Sequence, residues 1–156
     1  MKYRKYTVKD RDALVAILQS NCPKYFIESD KADLLHFLDN YADENYLVAE
    51  SEGRVVGCGG HYTKDFLHGI AWVMFERKAI GHKMLLSVAD SFYSEIEKRI
   101  KAEGHMYDIQ ISTTQLMEKL FGRYGFKTMA IVNDGFGKGL HQYDMVKSFV
   151  SGDQLA

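Results

Sequence analysis

The chain has 156 residues, with 20 Lys and Arg against 21 Asp and Glu, so its formal net charge is -1. A chain of this length buries enough surface for a hydrophobic core without disulfides or metals, and we expect a single domain over residues 1–156. The balanced charge provides no general attraction to nucleic acids or acidic membranes, so we expect neither as a partner.

The first residues contain no apolar signal segment, and no apolar run approaches the ~18 residues that a membrane span needs. These features predict a cytoplasmic protein. Cys22 and Cys58 are the two cysteines, and they form neither a CxxC motif nor a His/Cys cluster at zinc-ligand spacing. The sequence therefore predicts no disulfide framework and no structural metal.

The chain opens with one strand and two helices. Residues 2–8 form an aromatic and β-branched run typical of a strand, and residues 10–20 then change to helical spacing, with Asp10 as the predicted N-cap. Pro23 interrupts this pattern. After it, Asp30 is the predicted N-cap of a second helix.

Three strands follow in a row. Residues 46–50 and 54–62 flank Ser-Glu-Gly at 51–53, which predicts a hairpin with the glycine at a positive φ. Residues 68–75 are apolar, too short for a good helix, and rich in β-branched and aromatic side chains. This stretch predicts a buried strand.

A long amphipathic helix begins at Lys78 and ends at Gly104. Its apolar residues recur every four positions, as one face of a helix requires. They are Ile80, Met84, Val88, Phe92, Ile96 and Ile100. This is the strongest helical pattern in the chain.

The last third of the chain predicts a strand, a short helix and a hairpin. Residues 107–112 alternate polar and apolar as a half-buried strand does, and residues 114–125 follow as a short helix. Residues 127–132 and 141–149 form the closing strands, linked by the glycine-rich residues 133–140. Because this link lies between two strands, we interpret it as a hairpin and not as a nucleotide-binding loop.

A basic turn separates the buried strand from the long helix. The free N–H groups and the dipole of a helix N-terminus favour an anion, so a strand, a basic turn and a long helix together predict a phosphate site. Arg77, Lys78, His82 and Lys83 add positive charge there. The alternative is a solvated basic first turn, but cations at a helix N-terminus oppose the dipole unless an anion lies between them.

The order of elements and several local strings resemble the GNAT superfamily of N-acetyltransferases. Residues 76–81, ERKAIG, are similar to the family's pyrophosphate loop, Q/R-x-x-G-x-G/A, and residues 53–60 resemble its second and third strands. Residues 112–126 and 134–147 are similar to its short helix with a terminal G-F pair and to its last hairpin. The resemblance covers residues 3 to about 149. It implies a mixed, mostly antiparallel central sheet of about six to seven strands flanked by about four helices.

The resemblance implies acetyl-CoA as a co-substrate and no metal. A backbone N–H of the fourth strand, near residues 73–75, would polarise the thioester carbonyl. Thr113 and Thr114 would contact the pantetheine arm, although capping of the next helix is the safer interpretation. The implied cofactor-binding residues are Val73, Met74, Phe75, Arg77, Lys78, Ala79, Ile80, Gly81, His82, Lys83, Thr113, Thr114 and Phe121.

Three positions depart from the family pattern. Glu76 stands where Gln or Arg is usual, and Ala79 replaces the first glycine of the loop. The methyl group of this alanine restricts how closely the backbone can approach a diphosphate. Phe121 replaces a tyrosine that often protonates the departing thiolate. Tyr124 lies three residues later and shares a helix face with Phe121, so it is the candidate acid, with packing at the helix end as the alternative.

A base must take the proton of the attacking amine. Glu76 and His61 are the candidates, with an ion pair to a neighbouring cation and an ordinary strand-end histidine as the respective alternatives. The predicted acceptor groove is formed by Pro23, Lys24, Tyr25, Phe26 and Phe136.

The predicted function is direct transfer of the acetyl group of acetyl-CoA to an amine of a small molecule or peptide. The alternative is a GNAT-like module that binds acyl-CoA without turnover, as a sensor or interaction domain. We also expect a homodimer through the closing strands. The sequence does not identify the acceptor.

Overall fold

The computed structural model describes residues 1–148, which form seven strands and five helices. The strands are β1 (Lys2–Lys5), β2 (Tyr46–Ser51), β3 (Arg54–Lys64), β4 (Leu67–Phe75), β5 (Ile109–Thr113), β6 (Lys127–Gly137) and β7 (Leu140–Lys147). The helices are α1 (Arg11–Ser20), α2 (Asp30–Asn40), α3 (Arg77–Ile80), α4 (His82–Ala102) and α5 (Glu118–Arg123). Phe149 of the predicted last strand and the rest of the predicted domain to residue 156 lie outside the described residues.

The seven strands form one sheet in the order β1-β2-β3-β4-β5-β7-β6. Neighbouring strands are antiparallel except β4 and β5, which are parallel. The prediction of a mixed, mostly antiparallel sheet of six to seven strands is confirmed.

Helices cover both faces of the sheet, with one hydrophobic cluster beneath each layer. From Val88 onward the stripe of α4 is buried against one face, where Phe92 is 1% exposed and Ile100 is fully buried, whereas Met84 near its start is exposed. On the other face, Leu14 and Leu18 of α1 and Leu34 of α2 are fully buried. Each of these side chains contributes roughly 1.5–3 kcal/mol by leaving water. Among the described helices, none is both long and apolar enough to cross a membrane.

The helix predicted from Lys78 is interrupted. Residues 77–80 form the single turn α3, and Gly81 then adopts φ 86° and ψ 150° before α4 begins. Only glycine occupies this backbone region at low cost, so it separates the two helices. Similarly, the helix predicted over residues 114–125 is a 3-10 turn at Gln115–Met117 followed by α5.

Neither predicted aspartate N-cap bonds its helix in the expected way. The Asp10 carboxylate accepts from both Arg4 terminal nitrogens at 2.8 Å and from the Thr7 N–H at 2.9 Å. Asp30 is already the first residue of α2, with Ser29 at the cap position. The Asp10 and Asp30 carboxylates therefore bond to other groups and do not cap the first N–H groups of α1 and α2.

The first closing strand is longer than the sequence predicted, because β6 continues through most of the expected link. As the edge strand of the sheet, β6 exposes Met129, Ile131 and Val132. A homodimer through this hairpin stays a prediction.

Candidate active site

The two parallel strands at the centre of the sheet separate soon after they meet. β4 and β5 pair only at His68 with Ile109 and at Gly69 with Gln110. Beyond Gly69 each strand keeps its antiparallel neighbour on the far side, while the edges that face each other diverge. The sheet therefore opens in a V-shaped gap whose walls carry backbone groups without strand partners across the gap.

A β-bulge in β4 accompanies this separation. The β3–β4 register places Trp72 and Val73 opposite the single residue Gly59. Trp72 has φ 44°, a conformation that costs a non-glycine residue of order 1–3 kcal/mol. The Tyr46 hydroxyl donates to the Trp72 carbonyl at 2.9 Å, and the Phe26 ring stacks on the Trp72 ring with centroids 6.0 Å apart. These contacts hold the bulge in place.

The register also fixes where the backbone of Phe75 points. The Glu76 N–H donates to the Val56 carbonyl at 2.8 Å. In this register Phe75 forms a non-hydrogen-bonded pair with Gly57, so the N–H and the carbonyl of Phe75 point away from β3. The Asn21 side-chain amide donates to the Phe75 carbonyl at 2.9 Å. The Phe75 N–H therefore faces the open gap, within the stretch predicted to supply an oxyanion donor.

A cavity of about 630 Å³ occupies the gap and reaches both faces of the sheet. This volume is typical of small-molecule sites. Its central walls are Ile70, Ala71, Trp72, Val73, Met74 and Phe75 on β4 and Gln110, Ile111, Ser112, Thr113 and Thr114 on β5 and just after it. One end is closed by residues of α4 and α5, and the other by residues of the α1–α2 region.

The N-terminus of α4 lies at the end of β4, as predicted for a phosphate site. Gly81 precedes the helix, and there is no atom within 4 Å of the position that a side chain would occupy there. Lys78, His82 and Lys83 are exposed around this turn, as is Ala79. The 21-residue α4 directs its unsatisfied N–H groups to this open, basic surface, which suits an anion.

Arg77 lies on the acceptor side of the cavity rather than at the start of α4. Its Nε donates to Asn21 Oδ1 at 3.2 Å, and its guanidinium lies 3.9 Å from the centre of the Tyr25 ring. These contacts do not direct its side chain to the predicted diphosphate position, although Arg77 lines the cavity. The cation–π contact with the Tyr25 ring holds the Arg77 guanidinium toward the α1–α2 region and away from the start of α4.

Thr113, Thr114 and Phe121 all contact the cavity, as the resemblance implied. Thr114 also accepts from the Leu116 N–H at 3.3 Å and so caps the 3-10 turn, which was the alternative interpretation. Phe121 is 3% exposed and forms part of the core beneath α4.

Tyr124 lies at the end of α5 and lines the same cavity. Its ring stacks on Tyr93 with centroids 4.4 Å apart, and its hydroxyl donates to Asp90 Oδ1 at 2.7 Å. Burial, and then the hydrogen bond to Asp90, raise the pKa of the Tyr124 phenol well above its usual range. The phenol is therefore protonated at neutral pH, as a general acid must be.

Neither predicted base, Glu76 or His61, lines the cavity. His61 is 2% exposed on the α4 face of the sheet, where its Nε2 contacts the Glu103 carboxylate. Glu76 forms an ion pair with Arg54. Both side chains are occupied by partners that are distant in sequence, which local reasoning could not identify.

The acceptor end instead contains residues that sequence reasoning missed. Asp30, Asp33 and His36 of α2 face the cavity, together with Tyr62 of β3. Asp30 accepts from the Ile27 N–H at 3.0 Å, and burial raises the pKa of its carboxyl. The sequence contained a signal for Tyr62. Because side chains alternate along a strand, Tyr62 must point to the face opposite that of His61.

Tyr62 also explains a glycine of β4. Its ring lies directly over Gly69, where an added methyl group would stand 2.3 Å from a ring carbon. Gly69 is the last β4 residue paired with β5, so the Tyr62 ring covers the point where the gap begins.

No protein-family model matches the sequence, and no curated protein matches it. Solved structures that resemble it include ribosomal-protein-alanine N-acetyltransferase from Brucella melitensis, with a TM-score of 0.67 and 20% identity over 95% of this chain and 99% of that one. The aminoglycoside 6'-N-acetyltransferase from Enterococcus faecium has a TM-score of 0.69 and 12% identity, over 96% and 98% of the chains. The PaiA N-acetyltransferase from Thermoplasma acidophilum, solved in complex with coenzyme A, has a TM-score of 0.69 and 17% identity, over 94% and 98%.

Proposed function

Because this chain has the GNAT fold of N-acetyltransferases, we propose that it transfers the acetyl group of acetyl-CoA to an amine. The observation that carries the proposal is the gap between β4 and β5, which leaves a continuous cavity open to both faces of the sheet. A two-substrate reaction can use such a passage, in which the donor and the acceptor meet from opposite sides. Holding them in line can lower the barrier by roughly 7–11 kcal/mol.

The donor fits the half of the cavity formed by α4 and α5. Its diphosphate would lie at the start of α4, near Gly81 and the exposed cations, and its thioester would lie in the gap. The Phe75 N–H faces that gap and is the proposed donor to the carbonyl oxygen as negative charge develops there.

The proposed reaction is a direct attack by the neutral amine on the thioester carbonyl. A new C–N bond forms, the C–S bond breaks, and the thiolate of coenzyme A leaves with the bonding electron pair. Tyr124 donates its phenolic proton to that thiolate, and the Asp30 carboxylate accepts the amine proton directly or through water. Its raised pKa brings Asp30 nearer to the working pH of a base.

The α2 wall of the acceptor side favours a cationic group. Two carboxylates of α2, Asp30 and Asp33, share that side with the aromatic rings of Tyr25, Phe37 and Tyr62, and the cations Lys64 and Arg77 line other parts of the cavity. Carboxylates attract ammonium groups, and aromatic faces bind cations or stack on apolar parts of a substrate. We therefore propose a small molecule or peptide with a second positive charge near its reacting amine.

One set of observations favours the alternative, an acyl-CoA-binding module without turnover. Phe121 cannot supply a proton, and the Tyr124 hydroxyl is already bonded to Asp90. The predicted bases, Glu76 and His61, are held elsewhere. Such a module would bind coenzyme A at the same gap and leave the amine unchanged.

Two measurements on the same protein preparation distinguish the enzyme from the binding module. Calorimetry measures coenzyme A binding, and thiol release measures acetyl-CoA consumption with a panel of mono-, di- and polyamines and peptides. Binding with amine-dependent turnover supports the enzyme. Binding without turnover across the panel supports the module, and absence of binding would refute the cofactor assignment.

The acceptor class is tested with Asp33→Asn, because Asp30 is also the proposed base. We expect Asp33→Asn to raise KM for a dicationic amine about tenfold, which is ~1.4 kcal/mol of lost attraction, and to change KM for a monoamine less. Asp12→Asn is the matched control, because Asp12 is exposed on α1 outside the cavity. Equal KM changes for both amines would contradict recognition of a second charge.

A further inference from the structure

A second group of polar residues lies at the opposite end of β4 from the gap. His61 of β3, His68 of β4 and Glu103 at the end of α4 offer ligand atoms that all lie within 4.8 Å of one another. Both imidazoles are buried, at 2% and 0% exposure, whereas the Glu103 carboxylate is partly exposed. The cluster therefore has two interior nitrogen donors and one anionic donor that solvent can reach.

The hydrogen bonds of the cluster orient its donor atoms toward one another. His61 Nε2 contacts one oxygen of Glu103, and the Thr63 hydroxyl lies 3.1 Å from the other. The same hydroxyl lies 2.9 Å from His68 Nδ1. His61 thus directs a nitrogen toward the Glu103 carboxylate, and the Thr63 hydroxyl links His68 to the same carboxylate.

This donor set matches the chemistry of a divalent transition metal. Two imidazoles and one carboxylate are a ligand set that zinc sites use, with water in the fourth position. Metal–ligand bonds of about 2.0–2.2 Å place tetrahedral ligand atoms roughly 3.4 Å apart. The observed spread of up to 4.8 Å means that the ligand atoms must move closer together when an ion binds.

The packing of the two imidazoles also suits a shared ion. Their ring centroids lie 5.8 Å apart in an edge-to-face arrangement. His61 Nδ1 has no hydrogen-bond partner among the described residues, so the contacts with Glu103 and His68 orient that ring.

We propose that His61, His68 and Glu103 form a binding site for one divalent transition-metal ion of the zinc class. The ion would join β3, β4 and the end of α4 beside Gly69, where β4 and β5 are still paired. Its role would be structural, because the site lies outside the cavity and is separate from the proposed acetyl transfer. The proposal replaces the expectation of a metal-free protein.

The test uses the untagged chain after treatment with a chelator. Calorimetry with Zn²⁺ should give one ion per chain with a Kd on the order of 1 μM or tighter, and Co²⁺ should give visible absorption bands of a four-coordinate site. Zn²⁺ should also raise Tm. We expect Glu103→Gln, at a partly exposed position, to fold and to weaken binding more than about 100-fold, since loss of an outer-shell partner alone costs 10- to 100-fold.

His141→Gln is the control, because His141 Nδ1 lies 3.7 Å from Asp134 Oδ1 as an isolated histidine–carboxylate pair. This variant should keep the wild-type affinity and stoichiometry. The proposal is overturned if the chain binds no stoichiometric Zn²⁺, or if Glu103→Gln binds as tightly as wild type. A second variant, His61→Gln, must also abolish the Co²⁺ bands, and their persistence would equally refute the site.

Discussion

The two ends of β4 differ in what holds them. At its start, His68 and Gly69 are paired with β5 and surrounded by buried side chains, whereas its end from Ala71 to Phe75 borders an open cavity. One strand is therefore paired on both sides at its start, whereas at its end it is paired only with β3 and its other side faces the gap. We therefore expect the closed end, at His68 and Gly69, to determine stability, and the open end, from Ala71 to Phe75, to determine binding and chemistry.

The largest expected effect is a difference in the free energy of unfolding between variants at the closed end and at the open end of β5. Ile109 is fully buried at the closed end, and Thr113 lines the cavity at the open end. Ile109→Ala should lower the free energy of unfolding by about 2–5 kcal/mol, because it leaves a cavity in the core. Thr113→Ala should change it by no more than ~0.5 kcal/mol. Urea unfolding measures both, and similar losses for the two variants would contradict the comparison.

The next effect concerns chemistry at the open end. Tyr124→Phe keeps the ring that stacks on Tyr93 but removes the proton donor. We expect kcat to fall roughly 100-fold, at the lower end of what general acids contribute, with little change in the free energy of unfolding.

Tyr3→Phe is the control for that variant. It removes another hydroxyl that bonds to α4, at Ser91 2.8 Å away, without touching the cavity. Its kcat should equal that of wild type. An unchanged kcat in Tyr124→Phe would remove Tyr124 from the mechanism.

A smaller effect is expected at the diphosphate position. Gly81→Asp introduces negative charge and bulk where the anion is proposed to lie, so Kd for coenzyme A should rise at least about tenfold, or ~1.4 kcal/mol. Gly104→Asp is a matched control: Gly104 has φ 79°, similar to the 86° of Gly81, at the other end of α4. If both variants weaken binding equally, backbone strain and not the anion site explains the loss.

The smallest effect is a pH dependence. Burial raises the pKa of Asp30, so the folded chain holds this proton at a higher pH than the unfolded chain, where Asp titrates near ~3.9. The charged carboxylate therefore destabilises the fold at neutral pH, and this penalty disappears as pH falls below ~3.9. Asp30→Asn should have a slightly higher urea midpoint at pH 7 and converge with wild type in acid.

Asp12→Asn should follow the wild-type curve at every pH, because Asp12 is exposed. A lower midpoint for Asp30→Asn at pH 7 would show that the charge at the start of α2 stabilises the fold instead.

The fold was predictable because its signals are local. The four-residue apolar repeat of α4 and the Ser-Glu-Gly turn between β2 and β3 each depend on residues close together in the chain. The break at Gly81 was not predicted, since a glycine in a helical pattern does not by itself reveal a positive φ. The position of the basic turn between β4 and α4 was predicted for the same local reason, because a strand, a turn and a helix follow one another directly.

The side-chain partners were not predictable. Arg77 turns to Tyr25 and Asn21, and His61 to Glu103, across 42 or more positions of sequence. Periodicity assigns a residue to a face of the sheet but not to a neighbour on that face. For this reason the sequence placed the base on Glu76 and His61, while the cavity contains Asp30 and Asp33.

By itself, the sequence determined the order of strands and helices, the face that each buries, and the basic turn before α4, because these follow from hydrophobic periodicity and turn chemistry within short stretches. Only the tertiary structure decided where β4 and β5 separate, which carboxylates enter the gap, and that two histidines meet Glu103 at its closed end. Those features depend on register and on contacts between distant segments, and their energies arise only when the chain has folded.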